Sequence, residues 1–136
     1  MKNLVSKKEE EERRLKALAE YRILGTKPES CYDDITKIAA TTCNVPISLM
    51  TLVDKDKQWF KSKIGLQISE TRRDWSFCTH AIKENSPLII HDAFQDERFI
   101  NNPLVTGDPK IRFYAGFPLR NSDGNKLGTL GVIDRK

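Results

Sequence analysis

Apolar positions along the chain change their spacing several times, and each change marks an element. In "EEEERRLKALAEYRIL", from Glu9 to about Leu24, Leu15, Leu18, Ala19 and Ile23 recur at helical spacing behind an acidic first turn that suits the helix dipole. Gly25 ends this helix and Pro28 restarts the chain. A second helix is expected from Glu29 to Cys43, with Tyr32, Ile35, Ile38, Ala39, Thr42 and Cys43 on one side. That placement makes Cys43 a core residue, because a free thiol packs as a small hydrophobe.

The period then shortens to two. In "PISLMTLVD", residues 46–54, Ile47, Leu49 and Val53 point one way and Met50 and Leu52 the other, which predicts a central strand covered on both faces. "QWFKSKIG" follows as a second strand, with Phe60 and Ile64 on one face and Trp59, Lys61 and Lys63 on the other. "SPLIIHDA" predicts a short third strand, and residues 113–119 and 126–134 two more, joined through Asp123-Gly124, a hairpin signal. Hairpins with segregated helices predict an α+β fold around an antiparallel sheet. Residues 1–8 are expected to be disordered and 9–136 to form one domain.

Composition changes this picture little. Apolar residues at 38% and charged residues at 31% fit a modest core in a 136-residue chain. No apolar run approaches the roughly 20 residues that span a bilayer, and the N-terminus turns charged before a signal peptide could form, so no membrane association and a cytoplasmic location are expected. Three cysteines, Cys31, Cys43 and Cys78, with no CxxC spacing argue against a disulfide framework or an ordinary zinc site. The net charge of +4 is concentrated between Lys55 and Arg73, where six basic residues face two acidic ones. The run lacks the density and interleaved aromatics of a nucleic-acid interface and reads as a solvated strand face and loop.

The most chemical stretch is "ETRRDWSFCTHAI", residues 70–82, where Cys78 stands two residues before His80. Ser76, or alternatively Asp74, is placed to cap a short helix. On that helix Phe77, Cys78, Ala81 and Ile82 share an arc of about 140°. Cys78 and His80 diverge by about 200°, so they cannot share a metal ion or act as a nucleophile and its base. Cys78 is expected to be a buried, inert thiol and His80 a half-exposed histidine. His91 and Asp92, adjacent on a strand, face opposite ways. No phosphate-binding loop, dinucleotide fingerprint or zinc-protease motif is present.

Taken together, "RLKALAEYRILGTKPESCYDDITKIAATTCNVPISLMTLVDKDKQWFKSKIGL", "ETRRDWSFCTHAI", "DAFQDERFINNPLV", "IRFYAGFPL" and "GNKLGTLGVID" resemble a GAF domain, of the subgroup found N-terminal to bacterial histidine kinases and diguanylate cyclases. The resemblance runs from about residue 13 to 135. It implies a five- or six-stranded antiparallel sheet with helices packed on it, a small-molecule cavity between the sheet and the irregular segment, and a homodimer formed through the N-terminal helix. It also implies a signalling output domain or partner protein, and a C-terminal helix that this sequence lacks.

Within that family the residues narrow the function. The cyclic-nucleotide group has a Phe three residues before Asp-Glu and an Asn-Lys/Arg pair; here Phe94 precedes Asp96-Glu97 with one residue between, and no such pair lies upstream of it in that segment. Bilin-binding relatives carry a cysteine in the irregular segment, where this chain has none. A non-catalytic sensory module is therefore expected, without cofactor or metal; the alternative is a thiol-dependent enzyme such as a free methionine sulfoxide reductase, which needs converging cysteines. The resemblance puts the ligand pocket at Asp92, Phe94, Arg98, Asn102, Arg112 and Tyr114, with Trp75 and Phe77 as apolar walls and the arginines as forks for a carboxylate or phosphate. The opposing reading pairs Asp92, Asp96 and Arg98 with one another to hold the loop.

Overall fold

A computed structural model describes residues 7–136. Two helices, α1 (Lys7–Glu20) and α2 (Ser30–Cys43), precede the hairpin β1 (Ile47–Val53) and β2 (Lys57–Ile64). The chain continues through β3 (Glu70–Arg72), α3 (Phe77–Ala81), β4 (Leu88–Ile90), α4 (Pro103–Thr106), β5 (Phe113–Arg120) and β6 (Lys126–Asp134). The six strands form one sheet in the order β3-β2-β1-β6-β5-β4, with every neighbouring pair antiparallel. This is the α+β architecture expected. The sixth strand is β3, and the third expected strand shortens to Leu88–Ile90 because Asp92 instead caps a turn at Phe94 N.

β1 is buried along its whole length. Ile47, Leu49 and Val53 join the larger apolar cluster, beneath α3 and α4; Leu52 joins a smaller one with Ala17 and Leu18 of α1 and Leu127 of β6. The β5–β6 hairpin pairs Phe113 with Asp134 through Leu119 with Gly128. Its turn is closed by Asn121, whose Oδ1 accepts from Asp123 N and Asn125 N, and Gly124 takes a φ of +84° that suits glycine.

β2 does not alternate as its sequence suggests. Its register against β1 shifts between Met50 and Thr51, pairing Met50 with Ser62 but Thr51 with Phe60, so Lys61 is the extra residue of a bulge. Phe60 stays in the larger core while Ser62 turns to α2, bonding Asp33 Oδ1 at 2.6 Å and Thr36 Oγ1 at 2.7 Å. That contact reverses the expected facing of α2. Thr36 and Ala40 are buried, whereas Ile35 (43% exposed), Ile38 (65%) and Cys43 face solvent. Cys43 is therefore not a core residue: small and hydroxyl-bearing side chains let this helix approach the sheet and bond to it, and the bulkier apolar arc is left outside.

The first helix starts at Lys7 rather than Glu9, so Lys7 and Lys8 are helical; the remainder of the segment expected to be disordered, residues 1–6, lies outside the described residues. The helix ends at Glu20, and Ile23 and Leu24 of the following turn pack on the smaller core. Arg14 is buried with Ala17 and Leu18, a placement no periodicity announced. It is held because Glu11 accepts from its Nε and Nη2 at 2.9 and 3.0 Å, and Glu11 also accepts from Arg73, so the helix is fastened to the far end of the β1–β2 hairpin.

Burial is the largest single influence on Glu11 and raises its pKa. The hydrogen bonds and charges of Arg14 and Arg73 together outweigh it and lower the carboxyl from 4.5 to about 2. The folded value lies below the unfolded one, so this contribution is fully present above about pH 4.5 and is lost as pH falls through about 2. Glu11→Gln should lower stability at pH 7 by about 1 kcal/mol, a figure reduced for solvent screening. In denaturant titrations the difference from the parent chain should shrink steadily as pH falls below 4.5; a pH-independent difference would contradict the assignment.

Candidate functional site

A cavity of about 30 Å³ lies between the sheet and α3–α4. Its sheet wall is Leu49, Gln58, Phe60, Tyr114 and Ile133; α3 supplies Phe77 and Cys78. The far side is closed by Leu104, Pro109 and Ile111, and the outer side by Leu66, Ile68 and Thr71.

Local chemistry holds each wall. Ser76 caps α3, accepting from Thr79 N at 3.2 Å, and donates to Gln58 Oε1 at 2.8 Å, tying the helix to β2. Asn102 caps α4 through Leu104 N at 2.8 Å and donates to Trp75 O at 2.9 Å, joining the two helical segments over the cavity. Lys63 Nζ donates to the carbonyls of Gln67 and Ile68 at 2.9 and 3.1 Å, which pins the outer wall. Tyr114 lies over glycines: a Cβ on Gly116 would stand 2.2 Å from its hydroxyl oxygen, so only glycine leaves room for the ring.

The structure brings together two of the residues expected at the pocket. Phe77 and Tyr114 line the cavity, ring centroids 5.1 Å apart, and Phe77 stacks on Phe99 at 4.1 Å. Trp75 packs at the edge of the larger core beneath the Arg72 guanidinium. The polar candidates do not face the cavity. Arg98 pairs with Asp96, at 2.8 and 3.0 Å. Arg112 donates to the carbonyls of Val105 and Ile111, both at 3.0 Å, and lies over the exposed ring of Phe94. Asp92 is exposed on its turn and takes no part in the Asp96–Arg98 pair. The arginine fork expected for an anion is thus consumed in fastening the loop. Gln58, Leu66, Ile68 and Thr71 were missed. Their signal was faint: a polar residue buried in a strand, and apolar residues in a connection with no helical or strand period.

Cys78 is buried, with Sγ 2.9 Å from Thr129 Oγ1 and 3.5 Å from the Tyr114 hydroxyl. His80 points elsewhere, its ring edge-on to Phe99 at 4.9 Å. Partial burial, then the charges of Lys83 and Arg98, lower its pKa below the usual histidine value against a smaller opposing influence of Asp96, favouring the neutral ring. Cys31 and Cys43 are exposed on α2. Among the described residues no three His, Cys, Asp or Glu side chains are grouped to hold a metal ion. The basic run also has internal uses: Lys61 is buried against Glu29 at 2.6 Å, Lys57 pairs with Glu70, Arg72 with Asp74 and Arg73 with Glu11.

Sheet order, helix placement and cavity can be set against known proteins. The GAF domain family profile matches residues 27–136. This chain belongs to the GAF domain family. A cyclic di-GMP phosphodiesterase of Pseudomonas aeruginosa is 39% identical over 128 residues, covering 94% of this chain but only 22% of that protein's length. Among solved structures, the GAF domain of a phosphoenolpyruvate-protein phosphotransferase from Coxiella burnetii superposes with a TM-score of 0.64 at 12% identity, over 96% of this chain and 81% of the other. A type II free methionine-R-sulfoxide reductase from Thermoplasma acidophilum superposes with a TM-score of 0.63 at 13% identity, over 88% and 78%. At these identities the two structures share the fold with this GAF domain and nothing finer.

Cys31 and Cys43 should react quickly with a thiol reagent in the native protein, and Cys78 only after denaturation, because burial keeps the reagent from its sulfur. Cys78→Ala should cost about 1 kcal/mol, the loss of one sulfur atom and a small void. Rapid native labelling of Cys78 would show that its surroundings open.

Proposed function

We propose that this GAF domain is a non-catalytic sensory module of a bacterial signalling protein, and that it binds a small molecule in the cavity between the sheet and α3–α4. The observation carrying this reading is the separation of functions within the chain. The cavity is lined by apolar surface, while the ionisable side chains near it, Arg98, Arg112 and His80, are turned away and engaged in holding the fold. Such a site favours binding over acid–base or nucleophilic chemistry. The 39% identical phosphodiesterase supports a regulatory role, since the matched stretch is a minor part of that protein; the proposed partner of this module is an output domain or protein of that general kind. A cytoplasmic location belongs to the same proposal; in the described residues no helix is long and apolar enough to cross a membrane.

Self-association through α1, which the family resemblance implied, has weaker support. Arg14, Ala17 and Leu18 are buried in the fold itself, and the outward side of the helix is mostly charged, with Glu12, Arg13, Lys16 and Glu20. The thiol-enzyme alternative is disfavoured by the cysteines: Cys31 and Cys43 stand exposed on α2, and Cys78 is buried in the core on the other face of the sheet.

Two measurements test the proposal. Incubation with free methionine sulfoxide and a thiol reductant should give no turnover above the protein-free rate; turnover abolished by Cys78→Ala would make the chain an enzyme. A thermal-shift screen of small molecules should find at least one saturable stabiliser whose effect is lost on filling the cavity with Leu104→Trp. Stabilisers indifferent to that substitution would place binding elsewhere.

A further inference from the structure

The walls of the cavity are not equally firm. The sheet side belongs to four hydrogen-bonded strands, β1, β2, β5 and β6. Ser76 ties α3 to β2, and Asn102 ties α4 to Trp75. The stretch after α4 is bonded along its main chain: Lys110 N donates to Gly107 O at 2.7 Å and Ile111 N to Leu104 O at 2.9 Å. Side chains add to it, since the carbonyls of Pro109 and Ile111 accept from Arg135 and Arg112, both at 3.0 Å.

The outer wall is different. Leu66 and Ile68 come from the connection between β2 and β3. Among the described residues, the main-chain groups of Leu66, Gln67 and Ile68 make no hydrogen bond to another main-chain group. Only the half-buried Lys63 holds them, its Nζ donating to the carbonyls of Gln67 and Ile68 at 2.9 and 3.1 Å. The wall is one side chain thick: Ile68 lines the cavity and is still 45% exposed, and Leu66 packs only partly on the larger core. Both ends of the segment are firm. At Gly65 the backbone passes so close to Pro46 that a Cβ would stand 2.2 Å from its carbonyl oxygen. At the other end Ser69 O accepts from Phe60 N at 3.0 Å. A segment with few main-chain bonds and few buried contacts opens at low cost, whereas paired strands open only near the global stability.

We propose that residues 66–68 form the lid of the cavity and that the Lys63 ammonium is its latch. Opening exchanges two carbonyl partners of Lys63 for water and breaks no main-chain hydrogen bond of the segment. It moves Leu66 and Ile68 out, so that the cavity and the space they vacate become one apolar cleft open to solvent; about 30 Å³ is the volume of the closed state. This rests on the sensory reading of the same cavity and supplies the route by which its ligand arrives.

Two readouts on the full chain test the lid. Methyl relaxation dispersion follows opening on the μs–ms scale, at Leu66 and Ile68 against Leu104 and Ile111 of the opposite wall. Alkylation of Cys78 by iodoacetamide follows slower opening, because Cys78 lines the same cavity; Cys31→Ser and Cys43→Ser remove the exposed thiols. Lys63→Met keeps the apolar stem and removes the donors. By one readout or the other it should raise the open population about tenfold, the low end for hydrogen bonds to a charged group because this one is partly screened by solvent. Lys63→Arg keeps donors within reach and should stay near the parent chain. Repeating the alkylation in low denaturant separates the lid from global unfolding. Local opening exposes little surface and gives a shallow dependence, and a route through the unfolded chain gives the full slope. A Lys63→Met chain that matches the parent by both readouts would overturn the lid. So would an increase that spreads equally to Leu104 and Ile111, or one that carries the full denaturant slope. Each of these results leaves the sensory reading standing, since ligand binding in the cavity is read separately by the thermal-shift screen.

Discussion

Burial of β1 on both faces is the constraint from which the rest follows. All seven of its residues are out of solvent, and an apolar strand in that position needs a layer on each side. Each fully buried Leu or Ile contributes about 1.5–3 kcal/mol, so neither face can be left open cheaply. On one side α1 and α2 supply the cover; on the other α3, α4 and their connecting loops do so. The two layers are built differently. The first is made of regular helices fastened at a few polar points. The second consists of short helical pieces whose caps, Ser76 and Asn102, tie them to β2 and to each other, and this irregular packing leaves the cavity.

Most charges of the basic run are engaged within the fold. A positive excess between Lys55 and Arg73 would suggest an anion-binding face if its members were free. Instead Lys61 is buried with Glu29 Oε2 at 2.6 Å, Thr26 Oγ1 at 2.7 Å and the Lys27 carbonyl at 2.6 Å around it, so it holds the α1–α2 connection against the β2 bulge. Arg73 does the same for α1 through Glu11, and Lys63 for the outer cavity wall. Buried or half-buried charges of this kind are tolerated because each meets an opposite charge or several carbonyl oxygens. They also leave the cavity without a charge of its own.

β2 links the two sides. Its residues before the bulge give Gln58 and Phe60 to the cavity, and the bulge and the residue after it give Lys61 and Ser62 to the helical layer. A shift of the cavity wall would therefore be felt by the α1–α2 connection and by α2 through Asp33 and Thr36. The arrangement is compatible with the sensory role proposed above.

Much of this was legible in the amino-acid order. The two-period of Ile47–Val53 determined a central strand and Asp123-Gly124 a hairpin, since these signals are local and repeat within a few residues; the GAF fold came from the resemblance of the separated motifs to that family. The facing of Cys78 and His80 also followed from helical spacing alone. What only the tertiary structure decided were the placements that depend on partners distant in sequence. The bulge at Lys61 is visible only against β1, and it turns Ser62 to α2 and leaves Ile35, Ile38 and Cys43 outside. Arg98 and Arg112 carry the right chemistry for an anion, but Asp96 and two backbone carbonyls reach them first. A side chain's type limits what it can bind; which of its possible partners lies within about 3 Å is settled by the packing of the whole chain.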